Sequence, residues 1–345
     1  MGIEVGVGDP QSSGQDWDAF VATQPAGSFY HRYGWKRINE RHLGHLPIFL
    51  EARDAGALVG VLPMVLTRSR IFGRILCSMP FVNFGGPVSA DSRARQLLLE
   101  AAQQQARTLA ADYLEMRCAE PLETDLPASL QKVSMTLDLD PDPERLWATF
   151  ASKHRTNVRR VYKDGFAVKS GGRELLPEFY AVMQESWREL GTPLYGQSYF
   201  EAILDEFPDQ TRIFVCHRHG EPAAVAFNGH SADTVEGMWA GATPSGRQLN
   251  ANYVLYWEMI KDACERGFRR YHLGRSTAGS GAEQFKKKWN TETHQLYWYH
   301  YRPDGKNQPT VNVDNPKFRL AIAAWRKLPL WATRIVGPPL ARVIP

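Results

Sequence analysis

The chain contains 345 residues, of which 43% are hydrophobic and 11% aromatic, so it can bury a sizeable core and is too apolar for a disordered protein. Lys and Arg number 41 and Asp and Glu 37, which gives a net charge of +4 and excludes a histone-like polycation and an acidic-tail protein. The longest uncharged run, 75–90, contains prolines and glycines and is too short to span a bilayer. The N-terminus lacks the pattern of a signal peptide, so we expect a cytoplasmic protein that at most rests on the inner face of the membrane.

Two parts of the sequence repeat the same order of predicted elements. The first is a hairpin over 47–66, a glycine turn at 84–87, a helix over 93–110 and a strand over 113–118; the second is a hairpin over 211–228, a glycine turn at 240–243, a helix over 249–266 and a strand over 271–274. This order predicts an α/β fold in which a domain with a mixed, mostly antiparallel sheet occurs twice, although chance similarity between common elements gives the same pattern. The run LDLDPDPERL ends a strand and begins a helix, which places the boundary between domains 1–140 and 141–314.

The strongest local charge lies between residues 151 and 173, which contain seven Lys and Arg and one acid. A helix is predicted from about 145 to 164, and it places Arg155 and Arg159 on one face, where like charges repel. A phosphate-bearing ligand would explain why both are kept, since Arg binds phosphate oxygens in a bidentate manner. The alternative is an exposed, solvated basic face.

A Gly- and Ser-rich loop, GRSTAGSG at 274–281, follows a predicted strand and leads into FKKKW at 285–289. Backbone N–H groups of such a loop can point at an anion, and the lysines add positive charge beside Trp289. The Walker pattern G-x-x-x-x-G-K-[ST] is absent. The stretch is therefore either a second anion site or a flexible surface loop.

The last segment, 315–345, contains six Lys and Arg and no acid, and it is predicted to form a basic amphipathic helix. Phe318, Ile322 and Trp325 are spaced for one apolar face of that helix. The helix either packs on the second domain with a solvated basic rim or lies in a membrane interface.

No motif indicates a hydrolase or a metal site. The sequence contains neither G-x-S-x-G nor H-E-x-x-H, its four Cys have no C-x-x-C spacing, and its ten His show no helical ligand spacing. We therefore expect no metal and no bound cofactor.

Four stretches together carry a resemblance to a known family. They are GSFYHRYGWKRINERHLGH at 27–45, SKHRTNVRRVYKDGF at 152–166, WRELGTPLYGQSYF at 187–200, and the run from NANYVLYWEM to QFKKKW at 250–289. They resemble the FemAB family, and more narrowly its branch associated with the exosortase/PEP-CTERM and exopolysaccharide systems of Gram-negative bacteria. The resemblance covers nearly the whole chain and implies two tandem GNAT-like domains.

The resemblance also implies a reaction. The founding FemAB proteins transfer an amino acid from aminoacyl-tRNA to an amine on a peptidoglycan precursor that carries a diphosphate. We therefore expect an aminoacyl- or N-acyltransferase of cell envelope biogenesis that acts on a phosphate-bearing cell-wall or exopolysaccharide precursor. Its donor is expected to be aminoacyl-tRNA or acyl-CoA.

The candidate site residues fall into three groups. The acceptor group is Lys36, Arg155, Arg159 and Tyr256, the donor group is Arg275, Lys286, Lys287 and Lys288, and the candidate general base is Glu258. The resemblance implies phosphate contacts for Lys36 and Arg155, a place in the acceptor groove for Tyr256, and a place near the donor for the three lysines. Arg159 comes from the basic helix and Arg275 from the Gly/Ser loop. Glu258 is chosen because it is a carboxylate on the helix of the second repeat.

The chain departs from its branch at two positions, and two other functions remain open. His272-Leu273-Gly274 stands where D-F-G is usual, and Asn290 stands where Gly is usual. The first alternative is an acyl-CoA-dependent GNAT acetyltransferase with Arg247 at a helix N-terminus, although Asn250 and Asn252 occupy the glycine positions of the R/Q-x-x-G-x-G/A pattern. The second is a non-catalytic scaffold that contacts a membrane through the basic tail.

Overall fold

The computed structural model describes residues 2–9, 14–70, 72–306 and 316–344, without the side chains of 316–318. The described residues form two compact units. The first comprises 2–134, 294–306 and 343–344, and the second comprises 135–293 and 316–342.

Fourteen strands and twelve α-helices are found in the described part of the chain. The strands are β1 (Glu4–Val7), β2 (Leu46–Asp54), β3 (Ala57–Ser69), β4 (Gly73–Cys77), β5 (Tyr113–Cys118), β6 (Ala128–Ser129), β7 (Lys132–Asp138), β8 (Phe166–Gly171), β9 (Thr211–Arg218), β10 (Glu221–Ser231), β11 (Thr234–Ala242), β12 (Arg270–Thr277), β13 (Glu292–Gln295) and β14 (Tyr297–Tyr301). The helices are α1 (Gln15–Thr23), α2 (Gly34–Arg41), α3 (Ser92–Thr108), α4 (Pro143–Thr149), α5 (Ser152–Lys163), α6 (Leu176–Leu190), α7 (Gln197–Glu206), α8 (Pro244–Gln248), α9 (Asn252–Glu265), α10 (Gly281–Lys287), α11 (Pro316–Lys327) and α12 (Leu330–Ala341).

The first sheet has the strand order β1-β2-β3-β4-β5-β14-β6. Adjacent strands of this sheet pair antiparallel except for β4 and β5. These two pair in parallel because α3 crosses over between the end of β4 and the beginning of β5. Alanines and leucines of α3, such as Leu98 and Ala102, pack on Leu62 and Met64 of β3. This apolar layer forms a hydrophobic core of the first unit.

The second sheet has the order β13-β7-β12-β11-β10-β9-β8 and repeats the design. The strands β8 to β11 pair antiparallel, and β11 pairs in parallel with β12 after the crossover through α9. The tandem α/β architecture with mixed, mostly antiparallel sheets is thus confirmed. A bulge between Phe227 and Asn228 changes the register of β10 against β11. Such a bulge locally increases the twist of the strand.

Each sheet contains a strand from the other side of the predicted boundary. β14 follows the second repeat along the chain but lies between β5 and β6 of the first sheet, where Tyr297 pairs with Cys118. β7 precedes the second repeat and lies between β13 and β12. The division near residue 140 therefore differs from the observed one, because 294–306, assigned to 141–314 from the sequence, complete the first sheet.

Both predicted basic helices are broken into two. The predicted helix 145–164 is wrong as one element, because Phe150 is extended and buried between α4 and α5. The tail forms α11 and α12, separated at Pro329, which cannot donate a backbone hydrogen bond. Ile322 and Trp325 are described on α11, whereas the side chain of Phe318 lies outside the described residues.

Candidate active site

The break between α4 and α5 positions Arg155. Phe150 turns its ring edge-on to Trp257 and Trp289 at centroid distances of 6.1 and 5.4 Å, which holds the extended link in place. Arg155 Nη1 donates back across the break to the carbonyl of Ala148 near the end of α4. The first turn of α5 therefore presents a guanidinium that is anchored through one nitrogen only.

Lys286 on α10 is buried beside the end of β12. The parallel register of β11 and β12 ends at Glu236 and His272, and the Lys286 Nζ donates to the carbonyls of Gly274 and Arg275 at 2.8 and 3.1 Å. These carbonyls lie beyond the part of β12 whose pairing with β11 is described, and the ammonium donates a hydrogen bond to each of them. An ammonium has three protons, and these contacts use two of them.

The burial of Lys286 changes its protonation. Only 7% of the residue is exposed. Loss of solvent, followed by the positive charge of Arg275, lowers its pKa from 10.5 to about 7. Near neutral pH this side chain can therefore either hold or release a proton.

An aromatic cluster includes the residue before Lys286 and one residue of the predicted acceptor group, Tyr256. The cluster consists of Phe150, His154, Tyr253, Tyr256, Phe285 and Trp289. Tyr256 lies edge-on to Phe285 at 5.1 Å and parallel to Trp289, and burial raises its pKa to about 12. The Lys288 Nζ donates to the Tyr253 hydroxyl at 3.0 Å. The structure thus brings the predicted acceptor residue Tyr256 and the predicted donor residue Lys288 to one cluster.

His154 was missed as a candidate from the sequence. Its ring meets Trp289 edge-to-face at 4.2 Å, and neither ring nitrogen has a hydrogen-bond partner among the described residues. Burial, and then the charge of Lys288, lowers its pKa to about 4, so the imidazole is neutral at pH 7. The spacing of His154, Val158 and Val161 shows that it belongs to the buried face of α5.

The candidate base Glu258 accepts a hydrogen bond from the Tyr162 hydroxyl of α5. That contact and burial raise the pKa of Tyr162 above its usual range. Glu258 follows Tyr256 by two positions, which is about 200° around α9. The structure therefore does not bring Glu258 to the side of the helix on which Tyr256 meets α10, and its role as a base stays a prediction.

The remaining candidates lie at more exposed positions. Arg159 is exposed and lies over the Trp147 ring at 5.6 Å, and Lys287 pairs with Glu283 at 2.7 Å. Arg275 is half-buried on β12, next to the carbonyls that Lys286 binds. In the first unit, the Lys36 Nζ donates to the Tyr33 hydroxyl at 2.6 Å.

Arg247, the basis of the acyl-CoA alternative, is engaged within the protein. It pairs with the carboxylate of Glu189 and donates to the carbonyl of Ala242. Gly246 before it is packed so closely that a Cβ would meet the Ala223 carbonyl oxygen at 2.1 Å. The glycine therefore serves the approach of α8 to the sheet rather than the approach of a ligand.

His272 and Asn290, the two departures from the branch pattern, both have local partners. His272 Nδ1 lies 2.7 Å from Glu236 Oε2 in the buried sheet. Asn290 has a φ of 54°, a left-handed conformation that favours Gly and tolerates Asn, and its Nδ2 donates to the Thr149 carbonyl at 3.1 Å. This bond ties the end of α4 to the residue after the aromatic cluster.

Among the described residues, no group of three or more His, Cys, Asp and Glu is placed to hold a metal ion. None of the described helices combines the length and the apolar character needed to cross a bilayer.

Known proteins share this architecture. A family model described as an acetyltransferase (GNAT) domain matches residues 152–287. The UDP-N-acetylmuramoylpentapeptide-lysine N(6)-alanyltransferase of Weissella viridescens is 24% identical over 293 residues, which are 77% of this chain and 84% of that protein. The crystal structure of FemX matches with a TM-score of 0.66 and 15% identity, over 87% of this chain and 97% of that one. The chain is therefore similar to FemAB-type proteins over most of its length, and its residues 152–287 match a GNAT domain.

A further structural relative agrees with the tandem arrangement of this chain. A tandem GNAT protein from the clavulanic acid biosynthesis pathway gives a TM-score of 0.55 with 12% identity, over 89% of this chain and all of that one. The predicted tandem GNAT-like fold is confirmed, and the matches to a GNAT domain and to an alanyltransferase support the predicted family and bear out the prediction of an acyltransferase. The exosortase-associated branch stays a prediction.

Proposed function

We propose that this protein transfers an aminoacyl group from an activated ester to an amine on a phosphate-bearing precursor of the cell envelope. Lys286 carries the proposal. It is a buried ammonium with a pKa of about 7 that donates to the carbonyls of Gly274 and Arg275 on β12, inside the segment that matches a GNAT domain. The curated relative is named as an alanyltransferase that uses a UDP-N-acetylmuramoyl pentapeptide, which supports this substrate class.

The reaction forms a C–N bond and breaks a C–O bond. The amine attacks the carbonyl carbon of the ester, the carbonyl oxygen becomes an oxyanion, and the leaving hydroxyl takes a proton as the amine loses one. The third N–H group of the charged Lys286 donates a hydrogen bond to the oxyanion, and burial of the site strengthens this interaction. The carbonyls of Gly274 and Arg275 fix the ammonium in advance, so little reorganisation is needed.

The first turn of α5 supports the proposal that the acceptor group binds phosphate. Arg155 donates to the Ala148 carbonyl through Nη1, which leaves Nη2 to donate hydrogen bonds to phosphate oxygens. Arg159 is exposed one turn later on the same helix. Lys36 is the corresponding candidate in the first unit.

A transfer assay tests the proposal. The wild-type protein is incubated with alanyl-tRNA or acetyl-CoA, and with UDP-N-acetylmuramoyl pentapeptide or the same muramoyl pentapeptide without its diphosphate. We expect alanyl transfer from the tRNA to the diphosphate acceptor. Transfer of acetyl alone from acetyl-CoA would support the alternative GNAT acetyltransferase, and no transfer with any pair would contradict both.

Two variants separate binding from chemistry. Arg155→Ala is expected to raise KM for the diphosphate acceptor about tenfold, since a charge-assisted hydrogen bond contributes about 1.5–3 kcal/mol, with no change in KM for the acceptor without phosphate. Arg160→Ala, at an exposed position of the same helix, is the control. The kcat of the wild type is expected to fall above pH 7 as Lys286 loses its proton, and Lys286→Arg, which keeps the charge at high pH, is expected to remove that fall.

A further inference from the structure

The C-terminal segment 320–344 contains most of the exposed large hydrophobic residues in the described chain. Ten large hydrophobic residues are exposed in the described part of the chain, and six of them lie between 320 and 344. They are Leu320, Leu330, Trp331, Ile335, Val336 and Ile344. Leu320, Trp331 and Ile335 are 71%, 68% and 67% exposed, so their side chains have almost no contact with the rest of the protein.

This exposure is not caused by loose attachment of the helices. The opposite faces of α11 and α12 pack on α6, where Trp325, Thr333 and Ala341 are buried. The guanidinium of Arg334 donates to Gln184 Oε1 at 2.9 Å. The helix pair is thus docked in one orientation, and this orientation directs Trp331 and Ile335 to solvent.

The charged residues of the same segment are all basic. The sequence from 315 to 345 contains no Asp or Glu, and the exposed residues of α11 and its end include Arg319, Arg326 and Lys327. Leu320 and Lys327 are seven positions apart and share a helix face, so apolar and cationic groups alternate on it. The core of a typical protein–protein interface contains few charged residues, so the composition of this surface differs from that of a protein-binding surface.

We propose that the solvent-exposed faces of α11 and α12 bind the surface of an anionic lipid bilayer. Trp331 and Ile335 would enter the boundary between headgroups and acyl chains, while the Arg and Lys side chains contact lipid phosphates. Each helix has twelve residues and is about 18 Å long, which is too short to cross the hydrocarbon core. The helices therefore lie on the membrane, a property that goes beyond the proposed transfer reaction and is independent of it.

Vesicle co-sedimentation of the full chain tests the apolar part. The wild type is expected to bind vesicles of 30% phosphatidylglycerol in phosphatidylcholine. The double variant Trp331→Ser with Ile335→Ser is expected to reduce the partition coefficient about tenfold, because two large apolar groups no longer leave water. Leu130→Ser changes an exposed leucine of the first unit and is expected to bind as the wild type does.

The charge dependence is tested with matched variants. Arg319→Glu with Lys327→Glu is expected to weaken binding by at least fivefold, as is 0.5 M salt, while Arg93→Glu on α3 is not. Circular dichroism confirms that each variant is folded. The proposal is overturned if the wild type does not bind the anionic vesicles, if it binds pure phosphatidylcholine equally well, or if the tail variants bind as strongly as their controls.

Discussion

Replacement of Lys286 by Met removes the charge while it keeps an unbranched side chain of similar length. In the folded protein, burial holds the pKa of Lys286 at about 7 instead of 10.5. This difference corresponds to about 5 kcal/mol against the charged form, most of which is the cost of removing an ammonium from water. The penalty is largest below pH 7, where the folded protein must carry the charge.

The pH dependence of stability follows from these values. Between pH 7 and pH 10.5 the unfolded chain binds a proton at this lysine that the folded chain does not bind, so the free energy of unfolding rises with pH. Relative to Lys286→Met, the wild type is expected to gain about 2 kcal/mol between pH 7 and pH 9. The Lys286→Met variant loses the two hydrogen bonds to carbonyls, but that loss does not vary with pH in this range.

Urea unfolding followed by tryptophan fluorescence measures the difference, since Trp289, three residues after Lys286, is fully buried in the folded protein. Lys287→Met is the control, because its ammonium is exposed and pairs with Glu283. A difference between wild type and Lys286→Met that stays constant from pH 7 to pH 9 would refute the reasoning. So would a carbon-13 titration of the lysine side chains in which the signal lost in Lys286→Met titrates near pH 10.

Three further results are expected. Asn290→Ala should lower the free energy of unfolding by about 1–2 kcal/mol more than Asn290→Gly, because both lose the bond to Thr149 but only Ala is strained at positive φ; thermal unfolding of the pair measures this. Phe150→Ala should cost about 3–5 kcal/mol by opening a cavity between α4 and α5, and equal melting temperatures of variant and wild type would contradict it. Burial raises the pKa of the Cys216 and Cys264 thiols to about 12 and about 11, so a thiol reagent at pH 8 should label them only after denaturant is added.

Much of the local structure was predictable because it follows hydrophobic periodicity and turn chemistry. The hairpins over 47–66 and 211–228 are β2–β3 and β9–β10, and the strand predicted at 113–118 is β5. The helix predicted over 93–110 is α3, with Asp91 as its N-cap. These signals lie within about twenty residues of one another, where a single sequence is most informative.

The features that were missed depend on distant contacts. The apolar and basic pattern around Phe150 suits a continuous helix, and only the rings of Trp257 and Trp289 explain why the chain is extended there. His154 was overlooked for the same reason, because its environment comes from α9 and α10. Lys286 was identified as a donor-site lysine, but its burial against two strand carbonyls could not be inferred from a run of three lysines that look equivalent in sequence.

The exchanged strands have a consequence for synthesis of the protein. The first sheet lacks β14 until residues 297–301 have left the ribosome, by which point most of the second repeat has already emerged. Until then, β5 presents an unpaired edge that includes Met116, which is fully buried in the finished sheet. The first unit therefore completes its folding after the central strands of the second have been made, and a nascent chain halted near residue 140 carries an open sheet edge that chaperones or other nascent chains can bind.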